Sequence, residues 1–181
     1  MARIAVIDPN SATGEAKALL GAVQASLGVA PNFIRVLANS PAALNAFLGI
    51  HHIAGAGLLD PKTRERIALA VAEQNACQYC VSAHTAIGRK AGLDNQEMLA
   101  NRVGRSSDAK AEAALAFARA LVEHSGQVSK AEFEAVRAAG HSDGEVVEII
   151  THVAMNIFTN LLGKSTQIEI DFPQIELNRA A

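Results

Sequence analysis

Six consecutive residues, Ile67-Ala-Leu-Ala-Val-Ala72, put aliphatic side chains on every side of a helix. Asp60-Pro61 ahead of them is a helix start, a capping carboxylate followed by proline at the first helical position. Asn75-Ala76 is a break behind them. A helix over about 61–75 with so little polar face must be deeply buried among other elements. Those elements are helical too. The patterns that mark strands are nearly absent, and 36 of the 181 residues are alanine, the strongest helix former. Half the residues are hydrophobic but only 4% are aromatic, and alanine lets helices approach closely. The expectation is an all-α bundle, a single domain over 1–181.

Residues 1–10 read as an extended arm ending at Asp8-Pro9. Ser11 to Leu27 form a first helix, with Gly28 behind it, and a short helix follows from Pro31 through Leu37. Ser40-Pro41 starts a third, to about Gly57, bearing Phe47, Leu48 and the pair His51-His52. Asp94 with Glu97 starts a short helix to about Arg102; 103–107 is a polar loop, and an amphipathic helix runs from Asp108 to about Ser125. Ser129-x-x-Glu132 and Ser142-x-x-Glu145 are capping boxes for helices over about 130–139 and 143–162. The last is apolar on most sides, so it packs centrally or at a subunit interface. Gln167 to Ile175 reads as an extended tail.

The two cysteines of the chain, Cys77 and Cys80, are spaced C-x-x-C, and His84 follows four residues after the second. Val81, Ala83, Ile87 and Ala91 continue at helical intervals up to Gly92. On one helix, positions 77, 80 and 84 share a face. A C-x-x-C pair at a helix start can close a short disulfide, and the positive end of the helix dipole stabilises a thiolate there. An imidazole one turn on can bond to that thiolate or carry its proton. The spacing alone leaves three readings: inert core thiols, a zinc site completed by His84 and a ligand such as His51, His52 or His152, or a redox pair. A second C-x-x-C or an H-x₃₋₅-H partner for zinc is missing. His84 is either a satisfied core histidine or the partner of the thiols. Glu65, inside Arg64-Glu65-Arg66, reads by physics alone as a solvated charge, and Glu73 is the competing carboxylate. His124, His141 and His152 belong to no motif; His152, on an apolar helix, reads as a core residue.

The run from Thr63 to Thr85, with Glu65, Cys77, Tyr79, Cys80 and His84 in order, resembles the core of the AhpD-like alkylhydroperoxidase family, part of the carboxymuconolactone decarboxylase superfamily. The likeness is dense over 59–92 and thins toward both ends, where Asn156-Ile-Phe-Thr-Asn160 and Ile170-Asp-Phe-Pro173 carry it. It implies an AhpD-like helical bundle with an extended N-terminal arm and C-terminal tail, and a thiol-dependent peroxidase without haem, flavin or metal. Glu65 takes the place of the family's relay glutamate. Cys80, nearer to His84, would attack the hydroperoxide, His84 would take its proton, and Cys77 would trap the sulfenic acid. Tyr79 stands where the best-known branch has a relay histidine; a phenol can hydrogen-bond there but carries protons poorly near neutral pH. The implied partners are a hydroperoxide and a dithiol reductant, a lipoyl-protein or thioredoxin-like protein, attacking at Cys77. The family also implies a homo-oligomer, a hexamer. Two alternatives stand beside the peroxidase: a carboxymuconolactone decarboxylase-type lyase, which has no need of the thiols, and a non-enzymatic redox-sensing oligomer.

A formal charge of −2 and a pI of about 6.3, with no basic patch, argue against nucleic-acid binding. No stretch of 18 apolar residues runs without polar interruption and the N-terminus lacks a signal-peptide core, so the expectation is a cytoplasmic protein with no membrane span.

Overall fold

The computed structural model of the protein describes residues 2–178, and among them it places nine helices and no strand. They are α1 (Gly14–Leu27), α2 (Asn32–Leu37), α3 (Pro41–Gly55), α4 (Pro61–Gln74), α5 (Gln78–Lys90), α6 (Asn95–Arg102), α7 (Ala109–Glu123), α8 (Lys130–Ala138) and α9 (Asp143–Thr166). The architecture is an all-α bundle, as expected.

The bundle is built around α4, which packs against α5, α6, α7 and α9. Ile67, Leu69, Ala70, Val71 and Ala72 are fully buried, as the unbroken apolar run demands. Each fully buried leucine, isoleucine or valine contributes about 1.5–3 kcal/mol, so this segment anchors the fold. Two cores meet along it. One lies between α1, α2, α3 and α5 and takes in both cysteines; the other lies between α4, α7, α8 and α9 around Phe117, Leu115 and Ile149. The start signals act as expected. Ser40, Asp60, Asp94 and Asp108 accept bonds from the first turns of their helices, and Ser129 and Ser142 form complete capping boxes.

Three boundaries differ from the sequence reading. α1 begins at Gly14 rather than Ser11, because Asp8 folds residues 8–11 into a turn, accepting from the Asn10 and Ser11 amides. α9 runs on to Thr166 rather than stopping near 162, ending where Gln167 adopts a left-handed conformation. Cys77 is the N-cap of α5, so of the three positions read onto one helix only Cys80 and His84 lie inside it.

α9 is long and apolar enough, by length and composition, to cross a membrane. Here it packs into the bundle through one face, burying Val146, Ile149, Val153 and the polar His152, Asn156 and Asn160. Its opposite face leaves Val147, Ile150, Ala154, Phe158 and Leu161 exposed. The described parts of the arm and tail lie along the bundle. The arm bonds to the end of α9 through Arg3 and to α2 through Ile7, whose amide donates to the Arg35 carbonyl and whose carbonyl accepts from the Arg35 side chain. The tail crosses the start of α5, where the Ile175 amide donates to the Ser82 hydroxyl and the Asn178 amide to the Glu73 carboxylate.

Candidate active site

The site is made by the way α4 ends. Ala76 takes a left-handed conformation with φ 51°, the amide of Cys77 donates to the Ala72 carbonyl, and that of Ala76 donates to Glu73. This is a Schellman closure with alanine where glycine is usual. It turns the chain so that Cys77 caps the next helix and Cys80 falls in the first turn of α5. The turn is held from α9: Asn75 donates to Asn160 at 2.9 Å, and the Lys164 ammonium donates to the Asn75 carbonyl at 2.7 Å.

Cys77 and Cys80 are joined as a disulfide, with Cα atoms 5.3 Å apart. The two sulfurs have different surroundings. Both are buried, Cys77 at 1% and Cys80 at 4% exposed, and Gly163 of α9 lies closer to Cys77. Cys80 borders a cavity of about 550 Å³. Most of the wall is apolar: Val23 and Leu27 of α1, Phe33 of α2, Phe47 of α3, Met155 of α9 and Phe172 of the tail. His84, one turn beyond Cys80, lines the same cavity with His51 and His52.

His84 is fixed from behind by Glu65. Nδ1 of the imidazole and Oε2 of the carboxylate are 2.8 Å apart, and both side chains are mostly buried. A carboxylate can only accept, so Nδ1 carries the proton and Nε2 is left as a base. The segment Arg64-Glu65-Arg66 is not a solvated charge run. Arg66 bonds to Glu97 at 2.9 Å, Arg64 donates to the Gly55 carbonyl, and Glu65 turns to His84. Glu73 lies elsewhere, paired with Arg102 at 2.7 Å and accepting from the tail. Desolvation in the cavity wall, followed by repulsion from His84, lowers the pKa of His51.

The Tyr79 hydroxyl sits in a polar clasp. It donates to Asp171 of the tail at 2.8 Å and accepts from the Phe33 amide at 3.1 Å. Burial pushes its pKa well above the ordinary phenol value, and neighbouring Asp171 adds to the shift against the Phe33 bond. Tyr79 is thus a fastener between α5, α2 and the tail. Its ring also meets Phe172 edge-on at 5.7 Å, closing one side of the cavity. The remaining histidines divide. His141 Nε2 donates to the Lys110 carbonyl, 2.9 Å away, and His124 approaches Glu132 on the surface. His152 is buried on α9. Among the described residues, no group of three or more His, Cys, Asp or Glu side chains converges as a metal ion requires.

Sequence reasoning missed Gly163, which lies against the cysteines, and named Asn160 only within a stretch of family likeness, without its role of holding the α4–α5 turn. Both roles are recognisable only once α9 is seen to cross that turn.

Comparison with known proteins fits this geometry. A model of the carboxymuconolactone decarboxylase family matches residues 39–123, a span that contains Glu65, both cysteines and His84. Among solved structures, the chain is similar to an uncharacterized peroxidase-related protein from Ralstonia eutropha JMP134 with an alkylhydroperoxidase AhpD core. The identity is 26%, the TM-score 0.83, and the match covers 94% of this chain and 92% of that one. It is similar also to an uncharacterized peroxidase-related protein from Silicibacter sp. TM1040, at 26% identity and a TM-score of 0.77, covering 91% of this chain and 90% of the other. The debrominase Bmp8 shares the fold at 22% identity and a TM-score of 0.74, with 87% of this chain and 86% of that one covered. No curated protein sequence matches.

Proposed function

We propose that this chain, an AhpD-like protein of the carboxymuconolactone decarboxylase superfamily, is a thiol-dependent peroxidase that reduces hydroperoxides through Cys77 and Cys80. The observation that carries the reading is the pairing of the two sulfurs at the edge of an apolar cavity that His84, backed by Glu65, also lines. In the reduced protein His84 Nε2 takes the proton of Cys80, and the positive end of α5 steadies the thiolate. The thiolate attacks the peroxide, the O–O bond breaks, and Cys80 becomes a sulfenic acid while the alcohol leaves with a proton. Cys77 then displaces hydroxide from that sulfur, releasing water and closing the disulfide.

Reduction begins at Cys80. The sequence points to attack at Cys77, but both sulfurs are buried and of the two only Cys80 borders the cavity. The reductant thiolate bonds to Cys80 sulfur, Cys77 leaves, and the second reductant thiol frees Cys80. A slender dithiol arm, as on a lipoyl-protein, suits an apolar cavity of this kind better than the folded surface of a thioredoxin-like protein. The bare apolar face of α9 is the surface through which copies of the chain assemble, in a compartment reducing enough to keep thiols available.

The test is consumption of an alkyl hydroperoxide by purified protein with a dithiol reductant. Cys80→Ser abolishes turnover, Cys77→Ser allows one oxidation without a second, and Glu65→Gln slows the thiol step about 10- to 100-fold. Undiminished turnover by Cys80→Ser rejects the reading. Decarboxylation of a lactone acid by a protein lacking both cysteines would favour the lyase in its place.

A further inference from the structure

A second cavity, about 340 Å³, lies beside the first. Arg64 and Glu65 of α4, His84 and Lys90 of α5, His51 of α3 and His152 of α9 line it. The two cavities share His51, His84, Ile87, Met155 and Asn156. Cys80 borders only the first, Glu65 only the second, and His84 both. The imidazole therefore divides a compartment containing the sulfur from a compartment containing the carboxylate.

His152 has an unmet bond in that second compartment. It is 3% exposed. One ring nitrogen bonds to the Ala54 backbone, and the other, Nε2, has no partner. With Nδ1 donating to the Ala54 carbonyl, Nε2 is an acceptor and requires a donor. A buried acceptor left unpaired costs about 1–3 kcal/mol, and native proteins generally satisfy such groups with water or ligand. Carboxylate, guanidinium and imidazole groups on the walls offer the two to four polar contacts a buried water makes. The charged and titratable groups facing His152 are Arg64 and Glu65 from α4, Glu148 on α9 itself, His51 from α3, and His84 and Lys90 from α5. Burial is the main influence on its pKa and lowers it, so the ring passes a proton on rather than retaining it.

We propose that the second cavity is a hydrated proton passage of the thiol site, in which water links Glu65 to His152 and His152 exchanges that proton with solvent. The proposal rests on the thiol-peroxidase reading. When Cys80 ionises, its S–H bond breaks and His84 Nε2 gains the proton. His84 passes its Nδ1 proton to Glu65, Glu65 passes one to water, and that water protonates His152 Nε2. His152 then releases a proton to solvent through the cavity mouth, where Lys90 is exposed. The same chain run backwards returns one proton to the departing alkoxide, so a full turnover leaves the passage as it began.

The test uses the whole reduced protein. Water-selective NMR is expected to transfer magnetisation from a long-lived water to the carbon-bound ring protons of His152. His152→Gln is expected to keep the thermal midpoint near that of the parent, to slow peroxide turnover about 10-fold, to enlarge the solvent deuterium isotope effect, and to regain rate with added imidazole. No transfer from water to the His152 ring, or a His152→Gln protein with the parent's rate and isotope effect, overturns the passage. Should the parent consume no peroxide at all, the peroxidase reading falls, and the water transfer alone decides whether the hydrated link exists.

Discussion

Gly163 of α9 lies directly on the cysteine pair: a Cβ at this position would stand 3.2 Å from the sulfur of Cys77 and 3.9 Å from that of Cys80. Alanine fits only if a neighbour yields slightly, and its gain in helix propensity of about 1 kcal/mol offsets that crowding. Valine cannot be absorbed in the same way. Gly163→Ala is expected to leave the stability of the oxidised protein nearly unchanged, and Gly163→Val to lower it by about 1–3 kcal/mol, as over-packing does. Thermal unfolding of both variants checks this.

The turn that delivers Cys77 stores strain at Ala76, whose φ of 51° suits glycine better than any residue with a Cβ. Ala76→Gly is expected to stabilise the protein by about 0.5–1 kcal/mol. In urea the midpoint should rise with the slope unaltered; a fall in midpoint would show that the turn is held by other means.

Tyr79→Phe removes the bonds to Asp171 and the Phe33 amide while keeping the ring. The loss is expected at about 1–2 kcal/mol of stability. Because burial holds the phenol neutral throughout the neutral range, the pH dependence of peroxide turnover should not move. A changed pH profile would place Tyr79 in proton transfer after all.

Glu97 ties α6 to α4 and to the 106–107 loop. Burial alone would raise its pKa, but bonds from Ser106, Ser107 and Asn101 outweigh that and hold the carboxylate well below its ordinary value of 4.5. A depressed native pKa means stability that is complete above the unfolded value and drains away as pH falls below it. The midpoint of thermal unfolding should therefore drop steadily below about pH 4.5. Glu97→Gln should be less stable near neutrality, since Arg66 loses its buried partner, and should show a shallower decline with acid.

The exposed row on α9, Val147, Ile150, Ala154, Phe158 and Leu161, recurs at three- and four-residue steps and so forms one continuous stripe. Val147→Glu with Leu161→Glu is expected to reduce the mass seen by light scattering toward that of a single chain, with helical circular dichroism retained. The same mass for parent and variant would place the contact elsewhere.

The helices were legible because each carried its own local cue. The capping residues Ser40, Asp60, Ser129 and Ser142 mark starts by satisfying amides within three residues, and Gly92 ends α5 in the left-handed conformation a glycine permits. The central place of α4 follows from its lack of a polar face. The pairing of Glu65 with His84 was not visible in spacing, since the residues sit nineteen apart on different helices and the flanking arginines suggest a charge run. It was reached through likeness to a family. That only Cys80 of the pair borders the cavity was hidden for a similar reason: the cavity walls come from α1, α2, α3, α9 and the tail, far apart in sequence.

That inequality affects how the protein will answer a chemist. With both sulfurs buried but only Cys80 bordering the cavity, a slender maleimide added to folded, reduced chains should tag a single position. Only after denaturation would the tally reach two. A single adduct per chain would thus report which thiol is reachable, and mass spectrometry of the peptide around Cys80 would identify the atom that meets the outside world.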